Sequence, residues 1–145
     1  MPHIIRVSVL PADIDELDHA NNIVYLRWVQ EAAVSHSTAD GLPTATFIAR
    51  GEVFVVRRHQ IDYLRPAFLG DELRIETRVI EIGVATCNRQ TKIVREKDGL
   101  PLANAITEWA YIDLARGRPI RIPADIRGRI TVEPAFDKRD EDAAG

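Results

Sequence analysis

Asp13-Ile14-Asp15-Glu16-Leu17-Asp18-His19-Ala20-Asn21-Asn22-Ile23-Val24-Tyr25-Leu26-Arg27-Trp28-Val29-Gln30-Glu31-Ala32 changes character at its centre. From Asn22 onward, Tyr25, Trp28, Val29, Ala32 and Ala33 recur at the spacing of one helix face, while Arg27, Gln30 and Glu31 fall on the other. Residues 11–20 are too acidic and irregular for a regular element. Asn21 and Asn22 stand at the junction, and Asn side chains accept hydrogen bonds from the unpaired N–H groups of a helix start. The stretch therefore predicts a carboxylate-rich loop that leads directly into a helix. Asp40-Gly41-Leu42-Pro43 ends that helix.

Outward from this stretch the chain reads as strands. Ile5, Val7 and Val9 alternate with Arg6 and Ser8, the two-residue period of a half-buried strand that ends at Pro11. After Gly51 come four more, at about 53–64, 73–79, 85–95 and 102–114. In the second of these, Leu73, Ile75, Thr77 and Val79 alternate cleanly with Arg74, Glu76 and Arg78. Asp98-Gly99 predicts a tight hairpin turn in which both central residues take positive φ. Gly117-Arg118-Pro119 breaks the last strand, and a short helical turn follows Pro123. There is no internal repeat and no second long helix. Strand, long helix and four strands make an α+β layout, one long helix packed on a five-stranded antiparallel sheet. A lone helix covers only part of such a sheet, so a second subunit is expected over the remainder or its edges. Residues 1–136 read as a single domain, and the polar segment 137–145 reads as a mobile tail.

Composition limits the function classes. With 145 residues, 46% hydrophobic and 28% charged, the chain has the balance of a globular domain, one that buries roughly 70% of its unfolded surface. The amino terminus has no basic segment leading into an apolar run, and no apolar stretch approaches the ~20 residues of a membrane span, so neither export nor membrane insertion is expected. The single cysteine, Cys87, has no disulfide partner and no neighbouring zinc ligands, which fits the cytoplasm. It reads as a small buried residue on a central strand rather than a nucleophile. A net charge of −3 argues against a nucleic-acid partner. Arg116, Arg118, Arg121, Arg127 and Arg129 are either a solvated basic face or a contact for a small phosphorylated ligand. Trp28 and Trp109 read as core or interface aromatics before ligand platforms.

The reactive side chains concentrate in Asp13, Asp15, Glu16, Asp18 and His19. A helix N-terminus offers free N–H groups and partial positive charge, which suit a developing oxyanion. A carboxylate beside it acts as a general base toward water or attacks a carbonyl itself. Simple readings compete: the acids serve as caps and dipole partners, and His19 is structural. A calcium loop lacks its glycine and its terminal Glu here, so no metal is expected.

DIDELDHANNIVYLRWVQEA resembles the DxDxxGHxNNxxYxxxxxEA signature of hotdog-fold acyl thioesterases, the family of 4-hydroxybenzoyl-CoA, acyl-CoA and acyl-ACP thioesterases. Asp13, Asp15, His19, Asn21, Asn22, Tyr25 and Glu31 occupy the expected offsets. Tyr63-Leu64-Arg65-Pro66-Ala67 with Gly70-Asp71 resembles the family's second landmark, and Arg116-Gly117-Arg118-Pro119 with Ile122-Pro123 resembles its close. The likeness spans roughly residues 5 to 130. It implies the hotdog fold and hydrolysis of an acyl-CoA or acyl-ACP thioester to acid and thiol, with no metal or cofactor beyond the coenzyme A of the substrate. It further implies Asp15 as the catalytic carboxylate, the Asn22 N–H on the thioester carbonyl, His19 assisting, and Asn21, Tyr25, Trp28, Tyr63 and Arg65 as substrate-binding residues, with Trp28 placed to line an acyl tunnel beside the helix as the alternative to a core role. The family's active sites lie at the interface of a homodimer or homotetramer. Coenzyme A phosphates would then meet Arg57, Arg58, Arg65 or the arginines from 116 to 129. Two positions depart from the pattern: Asp18 stands where acyl-CoA members have glycine, and Leu17 where plant acyl-ACP enzymes have a catalytic Asn. A noncatalytic acyl-CoA-binding module of the same fold is the alternative. A hotdog dehydratase ranks third, since His36 and Asp40 only approximate its histidine and acid.

Overall fold

The alternation along residues 73–79 is realised as the most regular strand of the sheet. In the computed structural model, which describes residues 1–137, Leu73, Ile75, Thr77 and Val79 are buried beneath the long helix, and Arg74, Glu76 and Arg78 face outward. The strands are β1 (His3–Ser8), β2 (Glu52–Tyr63), β3 (Glu72–Ile82), β4 (Thr86–Arg95), β5 (Pro101–Asp113) and the two-residue β6 (Arg118–Pro119). They form one antiparallel sheet in the order β1-β3-β4-β5-β2, with β6 added to β5. Helix α1 (Asn22–Ala39) lies against its inner face, and α3 (Ala124–Arg127) follows Pro123 as expected. A curled antiparallel sheet around one long helix is the hotdog arrangement.

The structure adds one short helix and corrects one turn. A second helix, α2 (Thr44–Arg50), fills the segment between the stop of α1 and β2. Its Thr-rich sequence hides it, but Pro43 before it and the left-handed Gly51 (φ 72°) after it are helix boundary signals. Its one buried residue, Phe47, packs edge-on against Phe54 and near Tyr111. The β4–β5 connection is also longer than a two-residue turn. Only Gly99 takes positive φ there (68°), while the Asp98 carboxylate accepts from Leu100 N–H and pairs with Arg95. The polar tail expected from residue 137 lies, apart from Asp137, outside the described residues.

The inner face carries two apolar clusters. One, with Trp28, Val29, Leu73, Ile75, Ile93 and Leu102, sits under the first half of α1. The other, with Leu42, Phe47, Tyr111, Ile122 and Ile126, packs around α2 and α3. A polar stripe crosses the sheet as well: Thr77 bonds Thr91 (3.0 Å), Arg89 reaches His36 and Thr77, and His59 bonds Thr107 (2.9 Å).

That stripe makes stability depend on pH. Burial lowers the pKa of His36, and the facing Arg89 and His3 lower it further against the attraction of Asp40 and Glu133. Burial lowers His59 too. Both rings bind a proton less readily folded than unfolded, so as pH falls through about 6.5 the unfolded chain protonates first. Their contribution is complete above that pH and is lost below it. The urea midpoint is expected to be lower at about pH 5.5 than at about 7.5, and a His36→Gln, His59→Gln double variant to flatten the difference. The carboxylates with lowered pKa, Asp13 among them, are shifted away from this window.

Candidate active site

The acidic loop ahead of α1 closes on itself. Ile14 and Ala20 form an antiparallel bridge, Asp15 N–H donates to the His19 carbonyl (3.0 Å), and Asp18 N–H donates to the Asp15 carbonyl (3.1 Å). Asp18 completes the turn with a φ of 61°, the one positive value among the non-glycine residues described. This is the position where the resembling family has glycine, and the backbone explains why. Asp tolerates the left-handed region better than most residues, because its short side chain bonds locally. Asp18→Gly is therefore expected to change stability by less than about 0.5 kcal/mol, and Asp18→Val to cost about 1–2 kcal/mol; urea denaturation of the pair checks this.

The two motif aspartates have different surroundings. Asp13 is 2% exposed, accepts from Leu10 N–H (2.9 Å), and forms an ion pair with Arg27 of α1 (2.9 Å). Burial alone raises its carboxyl, but the Leu10 N–H and the Arg27 guanidinium outweigh that and hold it below the usual carboxylate range. Its carbonyl accepts from Asn21 N–H (2.8 Å). Asp13 is thus a clamp between loop and helix. The Asp15 side chain is 25% exposed; its Oδ1 accepts from Leu17 N–H (2.8 Å) and lies 3.9 Å from His19 Nδ1. Among the described residues nothing donates to Asp15 Oδ2.

Asn21 caps the helix. Its side-chain oxygen accepts from Ile23 N–H (3.0 Å), and its carbonyl accepts from Val24 N–H (2.9 Å). These two bonds leave the N–H of Asn22 as the first-turn donor without a protein acceptor among the described residues. Asn22 lines a cleft of about 200 Å³ together with His19, Tyr25, Tyr63, Leu64 and Arg65.

The opposite wall of the cleft is residues 63–67, tied on by three bonds. Tyr63 OH donates to the Asn22 carbonyl (3.0 Å), Ala20 N–H to the Ala67 carbonyl (2.8 Å), and Ala67 N–H to the Tyr25 hydroxyl (3.0 Å). Behind it, Asp71 accepts from Phe68 N–H and from buried Arg95. The two sequence landmarks, 40 residues apart, therefore meet at one cleft.

The site residues expected from sequence divide accordingly. His19, Asn22, Tyr63 and Arg65 line the cleft, and Asp15 stands beside His19. The side-chain oxygen of Asn21 is engaged as the cap. Tyr25 reaches the cleft wall but is 2% exposed, with its hydroxyl accepting from Ala67 N–H. Trp28, read from sequence as a substrate contact, is 1% exposed and packs in the core against Tyr25. Leu64 and Pro66 also line the cleft, and nothing in their residue types marks them without the fold. Among the described residues Arg65 is the one arginine lining the cleft, and Arg127 donates to the Gly83 carbonyl (2.6 Å). Burial pushes the Cys87 thiol up to about 11, in keeping with an inert core residue.

The chain is similar to known proteins in sequence and in fold. Over 128 residues the chain is 27% identical to the long-chain acyl-CoA thioesterase FadM of Escherichia coli, covering 86% of this chain and 94% of FadM. It is 28% identical over 104 residues to the acyl-CoA thioesterase YbgC of Haemophilus influenzae, covering 71% and 75%. The crystal structure of a 1,4-dihydroxy-2-naphthoyl-CoA thioesterase from Synechocystis superposes with a TM-score of 0.83 at 21% identity, over 90% of this chain and 96% of that one, and shares the fold. The model of the thioesterase-like superfamily matches residues 9–130, taking in the acidic loop, α1, the 63–67 wall and the last strand, and the chain belongs to that superfamily.

Proposed function

We propose that this protein hydrolyses acyl-CoA thioesters to a free acid and coenzyme A, with Asp15 as the catalytic carboxylate and the Asn22 N–H polarising the thioester carbonyl. The observation that carries the reading is the cap arrangement. It satisfies the N–H groups of Ile23 and Val24 and leaves Asn22 on a cleft whose wall residue His19 lies 3.9 Å from Asp15, a carboxylate whose Oδ2 has no donor among the described residues. A carbonyl oxygen on that N–H gains stabilisation as it becomes an oxyanion. Asp15 then takes a proton from an attacking water, or attacks the carbonyl to form an anhydride that water cleaves. Either route breaks the C–S bond and yields acid and thiol, and neither needs a metal or a redox cofactor. His19 assists from beside that carboxylate, its Nδ1 3.9 Å from Asp15 Oδ1 and 3.4 Å from the Ala20 carbonyl. Arg65 on the cleft wall offers positive charge to the phosphates of the carrier.

We place the active site at the interface of a homodimer. The twelve-residue β2 forms one edge of the sheet, and Val53, Phe54, Val55 and Val56 along it are only half-buried. Leu17, Ile23, Phe68 and Leu69, from the segments that build the cleft, are exposed. An apolar edge strand of this length is normally covered in a stable protein. The unpaired Cys87 fits a reducing compartment, the cytoplasm; no helix among the described residues is long and apolar enough to cross a membrane.

Thiol release from a panel of aliphatic and aromatic acyl-CoAs, with an acyl-ACP alongside, tests the reading. Turnover on acyl-CoA is the expected result. Saturable acyl-CoA binding without thiol release from any member would instead make the chain a binding module.

A further inference from the structure

A second cavity lies between the C-terminal half of α1, α2 and the inner face of the sheet, and no residue lines both it and the cleft at Asn22. Its volume is about 130 Å³, close to the roughly 150 Å³ of an internal cavity that accommodates one benzene ring. Ala33, Leu42, Phe47, Val53 and Phe54 give it an apolar wall, and the exposed Val34 and Thr44 give it a way to solvent. Along α1, Ala33 is about 16 Å from Asn22 at ~1.5 Å per residue.

The polar side of this cavity is unusual for a core. Arg89 lines it and is 8% exposed. One guanidinium nitrogen donates to His36 Nδ1 (2.9 Å) and to Thr77 Oγ1 (3.1 Å). Arginine only donates, so that histidine nitrogen carries no proton and both partners are uncharged acceptors. Among the described residues no carboxylate forms an ion pair with Arg89. Asp40, also on the wall, lies 3.6 Å from His36 Nε2 instead. A buried guanidinium normally has a carboxylate or phosphate partner, because neutral hydrogen bonds offset its desolvation only in part. A second unmet donor stands nearby. The indole N–H of Trp109, another cavity residue, is buried without an acceptor. The β4–β5 register pairs Arg89 with Thr107 and Cys87 with Trp109, so Arg89 and Trp109 are diagonal neighbours on the inner face.

The geometry points to a second binding site, centred on Arg89, for a free monocarboxylate carried on a single ring or a short branched chain. The carboxylate offers an anionic acceptor to the Arg89 guanidinium, which no carboxylate of the described residues pairs, and the apolar body fits against Phe47 and Phe54. Asp40 on the same wall opposes any anion, and opposes a phosphate dianion more strongly than a monocarboxylate. The site is independent of the thioesterase reading, since occupancy needs no turnover.

Calorimetric titration of the full chain with phenylacetate, its neutral isostere phenylacetamide, and phenylphosphonate tests it. Phenylacetate is expected to bind at one per chain, about tenfold or more tighter than either comparator, as a charge-assisted hydrogen bond predicts. Arg89→Met should weaken it by about tenfold or more, Ala33→Leu should block it by filling the apolar wall, and Asp15→Asn should leave it unchanged. Equal binding of acid and amide, undiminished binding in Arg89→Met, or no saturable binding overturns the site. Should Arg89→Met fail to fold, the acid-to-amide ratio in the parent protein and the Ala33→Leu variant still decide. Failure of this titration leaves thiol release untouched, and absence of thiol release leaves the titration to be read on its own.

Discussion

Asp15→Asn is expected to lower thiol release by about 10²–10⁴-fold, the range a positioned acid or base contributes, with little change in the urea midpoint. The substitution is nearly isosteric, and an Asn side-chain oxygen can still accept from Leu17 N–H, the bond that holds Asp15 in place. What is lost is the negative charge and the ability to take a proton or attack a carbonyl. Asp15→Ala should lose the same activity and also the Leu17 bond, at a further cost of about 0.5–1.5 kcal/mol. Asp13→Asn provides the contrast. Its carboxylate is buried against Arg27 and Leu10 N–H, so removing the charge should lower the unfolding midpoint by more than Asp15→Asn does, and reduce activity per folded molecule far less. Measuring kcat and urea midpoints for the three variants separates the roles. If Asp13→Asn abolishes turnover in a folded protein while Asp15→Asn does not, the assignment of the base is wrong.

In the structure burial and the Arg27 ion pair separate these two aspartates, whereas in the sequence only the family resemblance does. Strand positions, the start of α1 at an Asn cap and the inward face of β3 are all local periodicities, and each is legible in a few neighbouring residues. The union of the 13–22 loop with residues 63–67 is legible through the two landmarks, because both match one family pattern. The partners of the polar stripe are not. His36 meets Arg89 from 53 residues away, and nothing in either neighbourhood marks the pair. Asp18 is an intermediate case: a departure from glycine is visible in sequence, but only the backbone shows that the position needs a left-handed conformation. For Trp28 the helical spacing that places it on the buried face outweighs its aromatic suitability as a ligand contact, since a residue turned into the sheet has little surface left for a substrate.

Trp28→Ala puts that last point to a measurement and should lower stability by about 3–5 kcal/mol, a large part of the 5–15 kcal/mol typical of a domain. The side chain is 1% exposed within the main apolar cluster, and its ring lies edge-on to Tyr25 with centroids 5.2 Å apart. A cavity there removes the support behind Tyr25. The Tyr25 hydroxyl bonds Ala67 N–H, and the Ala67 carbonyl bonds Ala20 N–H, so one ring braces both walls of the cleft. The loss should therefore appear first in thermal and urea unfolding, and Trp28→Phe should recover most of it. Well below the melting temperature, the KM of the Ala variant for short and long acyl chains should rise together and modestly, as a loosened cleft predicts. An acyl tunnel lined by Trp28 predicts the reverse: a chain-length-dependent change in KM with stability nearly intact. Unfolding midpoints and KM values across acyl chain lengths, taken on the same preparations, decide between a residue that holds the site together and one that touches the substrate.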